Sequence, residues 1–232
     1  FYLNNIYNLY IKYLLAMSLK NKNYWNSYYK LKENNINPSN FALFVSKKFI
    51  KKDTFILDVG SGDGRDSFYL RKKAKHVLGV DLSNVVIKKN QLKSKRLNLN
   101  NIKFKNISSN HLYKIQNKKI NFIYARFFIH AINESSEDIF LKNLRKNFKS
   151  NTLIALEFRT IKDVLMKKGK KLSKYERLTD HYRRFIDPVK FEKKLQNLKF
   201  KILYKKLGIN LSKSPNDNPH LCRIIFKNFD NS

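Results

Sequence analysis

"ILDVGSGDGRDSFYL", residues 56–70, is an apolar run that breaks into three glycines and then opens a helix. Ile56, Leu57 and Val59 suit a strand buried on both faces. Ser67 to Leu70 continue as a helix, and Phe68 and Leu70 are placed to pack back on a sheet. Gly60, Gly62 and Gly64 strip the turn of side chains, which permits positive φ and lets a ligand approach the main chain closely. The residues around the glycines decide which ligand. A phosphate-cradling loop needs GxxxxGK[ST], and no Lys-Ser or Lys-Thr follows here. The dinucleotide fingerprint GxGxxG fails at its third glycine, where Arg65 stands. A plain tight turn capped by Asp63 would use the same glycines without a ligand.

What stands here instead is D-x-G-x-G-x-G, with Asp58 two residues before the first glycine. This resembles motif I of class I S-adenosylmethionine-dependent methyltransferases over the motif's full length. The resemblance implies an α/β, Rossmann-like fold: a mostly parallel seven-stranded sheet with an antiparallel C-terminal strand and helices on both faces. It implies S-adenosylmethionine as cofactor, cradled by Gly60, Ser61, Gly62 and Gly64. A carboxylate at the strand's end suits the ammonium of the cofactor's methionine part, which gives Asp58 a role.

A second landmark, "HVLGVDLSNVVIKKN" (76–90), reads as a strand ending at Asp81. An acid about 20 residues past the glycine loop is placed to accept from two ribose hydroxyls; Asp81 could also merely cap the next helix. Leu82 follows it into the cofactor site, and Ser83 reads as the N-cap of a helix over 84–97. After the third strand, "NIKFK" (101–105), relatives of this kind carry an acid near the adenine. Here Asn106, Ser108 and Asn110 stand instead, and Asn106 is the expected contact.

Strands are expected at about 54–59, 76–80, 101–105, 119–125 and 152–158, with "FKILYKKLGIN" and "HLCRIIFKN" closing as a hairpin. Two helices before the first strand, within residues 1–50, are expected to fold over the cofactor, with Trp25 and Tyr29 lining that lid or simply packing. Residues 51–232 would form the methyltransferase domain, with a substrate-side insertion at about 160–190. At 232 residues and 42% hydrophobic, the chain suits such a core. Its single cysteine, Cys222, permits neither an internal disulfide nor a four-cysteine zinc site.

The formal charge of +32 raises nucleic acid as a partner. It is not favoured, because Lys, Asn, Ile, Tyr and Phe are abundant together, as an AT-rich gene would dictate, and the lysines are spread along the chain. The opening "FYLNNIYNLYIKYLLAM" is too short and polar to span a bilayer and lacks the features of a signal peptide. Met17 reads as a start, so residues 1–16 are expected to be an extension, with an amphipathic membrane-edge helix as the alternative. A cytoplasmic protein is expected.

The methyl acceptor should lie at the exit of strand four, "INFIYARFFIHAINE" (120–134), because ligands of open parallel sheets bind at the strands' carboxyl ends. Tyr124, Arg126, Phe127 and His130 sit there. The [DN]PP[YF] tetrad and the Pro-Cys dipeptide of nucleobase methylation are both missing. His130 reads equally as a general base and as a histidine bonded to backbone. The stretches "LEFRT" (156–160), "DHYRRFID" (180–187) and "NPHLCR" (218–223) resemble methyltransferases of bacterial surface-glycan gene sets. In a chain whose cations are mostly lysine, Arg126, Arg159, Arg183, Arg184 and Arg223 are selective choices, because Arg offers a planar fork for phosphate or carboxylate. These residues, with His181, make an expected pocket for a small-molecule or glycan acceptor, anionic in character. Arg126, His130 and Tyr182 are the candidate catalytic groups, and no metal is implied. Two alternatives stand beside this reading: an RNA methyltransferase, and a non-catalytic scaffold of the same fold.

Overall fold

The computed structural model describes residues 22–31, 37–115 and 117–228. The expectations for residues 1–16 lie outside them. Helix α1 (22–31) precedes α2 (Asn40–Lys48), whose N-cap Ser39 accepts from the Ala42 amide. There follow β1 (Phe55–Val59), α3 (Arg65–Leu70), β2 (His76–Asp81), α4 (Asn84–Arg96), β3 (Ile102–Asn106) and a short 3-10 segment (Ser109–Lys114). Then come β4 (Phe122–Arg126), α5 (Glu134–Asn147) and β5 (Leu153–Arg159). Three short strands, β6 (Lys170–Lys171), β7 (Glu176–Leu178) and β8 (Tyr182–Arg184), precede α6 (Pro188–Asn197), β9 (Phe200–Gly208) and β10 (Leu221–Asn228).

The main sheet has seven strands in the order β3-β2-β1-β4-β5-β10-β9. Strands β1 to β5 pair in parallel, and β10 runs antiparallel to both β5 and β9. This is the mostly parallel seven-stranded sheet expected above, and the closing hairpin supplies the antiparallel C-terminal strand, β10, which lies between β5 and β9. Strand order reverses between β1 and β4, and the carboxyl ends on either side of that switch point open a crevice.

Period-two alternation divides the core between the two faces. Leu57, Val59, Ile123 and Leu156 face α5 and α6 through Phe140, Leu144, Phe191 and Leu195. Ile56, Tyr124 and Ala155 face α2, α3 and α4 through Phe41, Val45, Leu70 and Ile87. Helix α2 is therefore part of the core. The expected insertion holds a separate three-stranded antiparallel sheet, β6-β7-β8. Its strands are two or three residues long and rich in lysine and arginine, so no apolar alternation announces them.

One buried cluster ties β4, β5 and β10 together. Glu157 on β5 is fully buried. It accepts from Arg126 Nε at 3.0 Å and Ser212 Oγ at 2.8 Å through one oxygen, and from Arg223 Nε at 2.6 Å through the other. Removing one partner of such a group strands the others without solvent. Glu157→Leu is expected to destabilise the fold by about 3–5 kcal/mol, because Arg126 and Arg223 lose their counter-charge. Urea unfolding checks this, and the added change Arg223→Met should recover part of the loss.

Candidate active site

The crevice begins at the end of β1. Asp58 is buried, and Ser67 Oγ donates to its Oδ2 at 2.5 Å. Burial pushes its carboxyl up to about 8, with Asp66, Asp81 and Asp63 adding to the rise and the Ser67 hydrogen bond opposing it. Among the described residues no cation pairs with it, and an ammonium group would supply one. Gly60 and Ser61 donate their amides to Val80 O, which folds the glycine turn against the end of β2. There Asp81 accepts from the Gly62 amide at 3.0 Å through Oδ2 and from the Ser83 amide at 2.9 Å through Oδ1. Burial raises the Asp81 carboxyl and these backbone donors offset part of the rise. Each oxygen keeps a lone pair for a ribose hydroxyl.

Gly62 has φ +52°, and a Cβ there would come within 2.5 Å of Tyr29 Oη. A side chain here would strain the backbone and displace the Tyr29 hydroxyl. Ser61 Oγ is buried without a hydrogen-bond partner, a polar group waiting for one. The set of acids, open backbone and orphaned hydroxyl fits the ammonium, ribose and methionine parts of S-adenosylmethionine. Asn106, the residue expected near the adenine, is held by its amide nitrogen. Its amide donates to the carbonyls of Asp81 and Leu82 at 2.8 Å each and so holds the Asp81 turn.

Helix α1 lies across this crevice. Ser83 Oγ donates to Asn26 Oδ1 at 2.7 Å, and Trp25 stacks on Tyr29 at 5.9 Å. On the other side of the crevice the same helix meets the insertion. The His181 ring sits 5.0 Å from both Tyr24 and Trp25. Tyr24 Oη donates to Asp180 Oδ2 at 3.0 Å, and His181 Nδ1 lies 2.9 Å from the same oxygen. Burial alone would push Asp180 up, but hydrogen bonds from Arg183, Thr179 and His181 outweigh it and hold the carboxyl below the usual range. His181 is held below its ordinary value by burial and then by Arg183, with Asp180 acting against both.

Beyond the end of β4, Phe127 has φ +55°, an uncommon conformation for a bulky residue. Its amide donates to Glu157 O, and its ring lies 4.0 Å from the Arg126 guanidinium and 5.5 Å from that of Arg159. His130 is buried 5.2 Å from the same ring. Its Nδ1 accepts from the Arg159 amide at 3.3 Å, which places the proton of the neutral ring on Nε2. Burial, then Arg159, Arg183, His181 and Arg126, hold its pKa well below the ordinary value. The ring is therefore a neutral donor through Nε2.

The expected acceptor residues thus divide. Arg126, Phe127, His130, Arg159, His181 and Arg183 gather around one end of the crevice. Arg184 turns away: it is buried against Glu137 and the Ile132 carbonyl. Arg223 belongs to the Glu157 cluster, and Tyr182 donates its hydroxyl to Glu176 on the neighbouring strand. Each gathered arginine has a carboxylate beside it: Glu157 for Arg126, Asp163 and Asp217 for Arg159, and Asp180 for Arg183. Glu157, Asp180 and Tyr24 were not singled out from the sequence. Asp180 adjoins His181 in the quoted "DHYRRFID", and that adjacency was the available signal; the partners of Glu157 and Tyr24 are far away in the chain.

Among the described residues no helix is long and apolar enough to cross a membrane. A comparison with curated proteins finds no match. Solved structures of the same fold include an S-adenosylmethionine-dependent methyltransferase from Methanosarcina mazei, 16% identical with a TM-score of 0.67, covering 80% of this chain and 97% of its own. Another, from Clostridium acetobutylicum, is 15% identical with a TM-score of 0.67 and covers 82% and 92%. The 1,6-didemethyltoxoflavin-N1-methyltransferase of Burkholderia thailandensis, solved with bound 1,6-didemethyltoxoflavin and S-adenosylhomocysteine, is 13% identical with a TM-score of 0.60 and covers 82% of this chain and 77% of its own. The profile of a methyltransferase domain matches residues 50–207, more than half of the chain. With that match laid over the glycine turn, both acids and the reversed strand order, the chain belongs to the methyltransferase-domain family.

Proposed function

We propose that this methyltransferase acts on a hydroxyl oxygen of a sugar-bearing acceptor, with His181 taking the hydroxyl's proton. The hydrogen bond between Asp180 and His181 carries the reading. An ionised Asp180 can only accept, so His181 Nδ1 bears the hydrogen and Nε2 keeps its lone pair. The lowered pKa of His181 keeps that lone pair available at neutral pH. A phosphate or carboxylate oxygen is already unprotonated and needs no base; a hydroxyl does. Paired arginines support the same choice, since their charges are already matched by carboxylates. They offer N–H donors to a polar ring more than a net positive field to an anion. Tyr24 and Trp25 add an aromatic wall suited to the C–H face of a sugar.

In this reading Asp58, Gly60, Ser61, Gly62 and Gly64 hold the methionine end of the cofactor. Asp81, Leu82 and the turn fixed by Asn106 hold the ribose side, and α1 serves as the lid. The bound cofactor supplies an electrophilic methyl on a positive sulfonium. The protein's own contribution is alignment: His130 Nε2–H, Arg126, Arg159 and Arg183 fix the acceptor while His181 accepts its proton. Arg184 builds the wall behind them. Labelled S-adenosylmethionine offered with neutral sugars, sugar phosphates and uronic acids tests the reading. We expect the label in an alkali-stable ether on a sugar hydroxyl. Label in a methyl ester of a carboxylate or of a phosphate, told from the ether by mass spectrometry of the product, would overturn it, because an ester places the methyl on an oxygen that needs no base.

A further inference from the structure

We infer that the β3 edge of the fold docks the phosphate backbone of RNA, independently of what the crevice methylates. The first observation is one of exclusion. Residues 82–133 contain eleven lysines and arginines and no aspartate or glutamate. An even spread of the chain's 17 acids over 232 residues would put about four there. An AT-rich gene explains plentiful lysine and acts along the whole chain, so it does not explain why the acids are missing from this stretch in particular.

The fold then brings these cations to one margin of the sheet. Strand β3 is an edge strand, α4 covers one of its faces, and the 3-10 segment returns past the other. On that second face, Lys103 and Lys105 of β3, Lys114 of the 3-10 segment, His76 of β2 and Asn117 line a cleft of about 330 Å³. All three lysines are exposed. None of them pairs with a carboxylate among the described residues. A second lysine-lined cleft makes the contrast. There Lys142, Lys190, Lys193 and Lys194 share the walls with Asp138, and Lys194 is bound by Glu134, Glu137 and Asp138. That cleft holds an acid among its lysines; the β3 cleft holds none.

Three cations from separate segments suit a run of phosphates, and such a surface gains affinity by releasing counterions. Beside Lys114, Tyr113 is 54% exposed and lies edge-on to the exposed His111 ring at 5.8 Å. An exposed aromatic pair next to backbone-binding lysines is the combination that single-stranded nucleic acid uses, with bases stacking while phosphates pair. A lipid surface would find little apolar area to insert here.

The test is fluorescence anisotropy of the full chain with a labelled single-stranded RNA of about 20 nucleotides, repeated across salt concentrations. Binding is expected to weaken steeply with salt. Changing Lys103, Lys105 and Lys114 together to glutamine should weaken it at least about tenfold and reduce the log–log salt slope by about 2. The same change at Lys142, Lys190 and Lys193 removes equal charge and should leave most of the affinity. Binding of S-adenosylhomocysteine by both variants checks that they are folded. Equal losses in the two variants would overturn the proposal, since only overall charge would then matter. So would the absence of RNA binding, or binding to phosphatidylglycerol vesicles in its place.

Discussion

Replacing His181 by alanine is expected to lower turnover by about 10²–10⁴-fold, the span of a positioned general base, while S-adenosylhomocysteine binds as before. The split follows from position. His181 touches α1 and Asp180 and makes no hydrogen bond to the glycine turn or Asp81. Asp180→Asn should cost less than His181→Ala yet more than Tyr24→Phe, because Asp180 fixes the tautomer and Tyr24 only adds one donor to it. Steady-state rates across pH check the assignment. The acid limb of kcat should fall below the ordinary histidine value of 6.5, since burial and Arg183 lower the pKa of His181, and it should vanish in His181→Ala. A structural role for His181 would move stability and leave the pH profile alone.

The second large effect is expected at Asp58. Asp58→Asn should abolish measurable cofactor binding, because the amide cannot match an ammonium, and yet the variant should be the more stable protein at alkaline pH. The sign follows from linkage. Burial raises the Asp58 carboxyl from 3.8 to about 8 in the folded chain without cofactor. Its contribution is therefore complete below about 4 and is lost as pH rises through about 8, where folding must bury a charge. Asparagine removes that loss. Thermal melts at pH 6 and pH 9 should show the parent protein losing stability relative to Asp58→Asn, and added S-adenosylhomocysteine should restore the parent alone.

Local pattern explains how much could be read beforehand. The strand, glycine turn and helix around Asp58 are contiguous, as are the strand, acid and Ser83 cap around Asp81, so both halves of the proposed cofactor crevice are legible. Strand spacing and the C-terminal hairpin then led to the sheet. The acceptor end was legible only as a set of residues. Arg126, Arg159 and Arg223 stand out as unusual cations, but Arg126 and Arg223 meet Glu157 from elsewhere in the chain, and Arg159 adds the distant Asp217 to its neighbour Asp163. Tyr24 and His181 are 157 positions apart. The left-handed turn at Phe127 carries no glycine to mark it. His130 shows a subtler limit, since its tautomer is set by the Arg159 amide on a neighbouring strand, which no local pattern reveals. Residue types were visible in the sequence; the pairings that decide their chemistry are set by the sheet.

The most direct measurement is calorimetric titration of S-adenosylhomocysteine into the full chain at pH 6 and pH 8, where the ligand's ammonium stays charged. A crevice built on a buried Asp58 that ionises near 8 predicts one saturable site per chain, bound more tightly at pH 8, with protons released at pH 6. Binding of equal strength at both pH values, or no binding at either, would contradict the account at its centre.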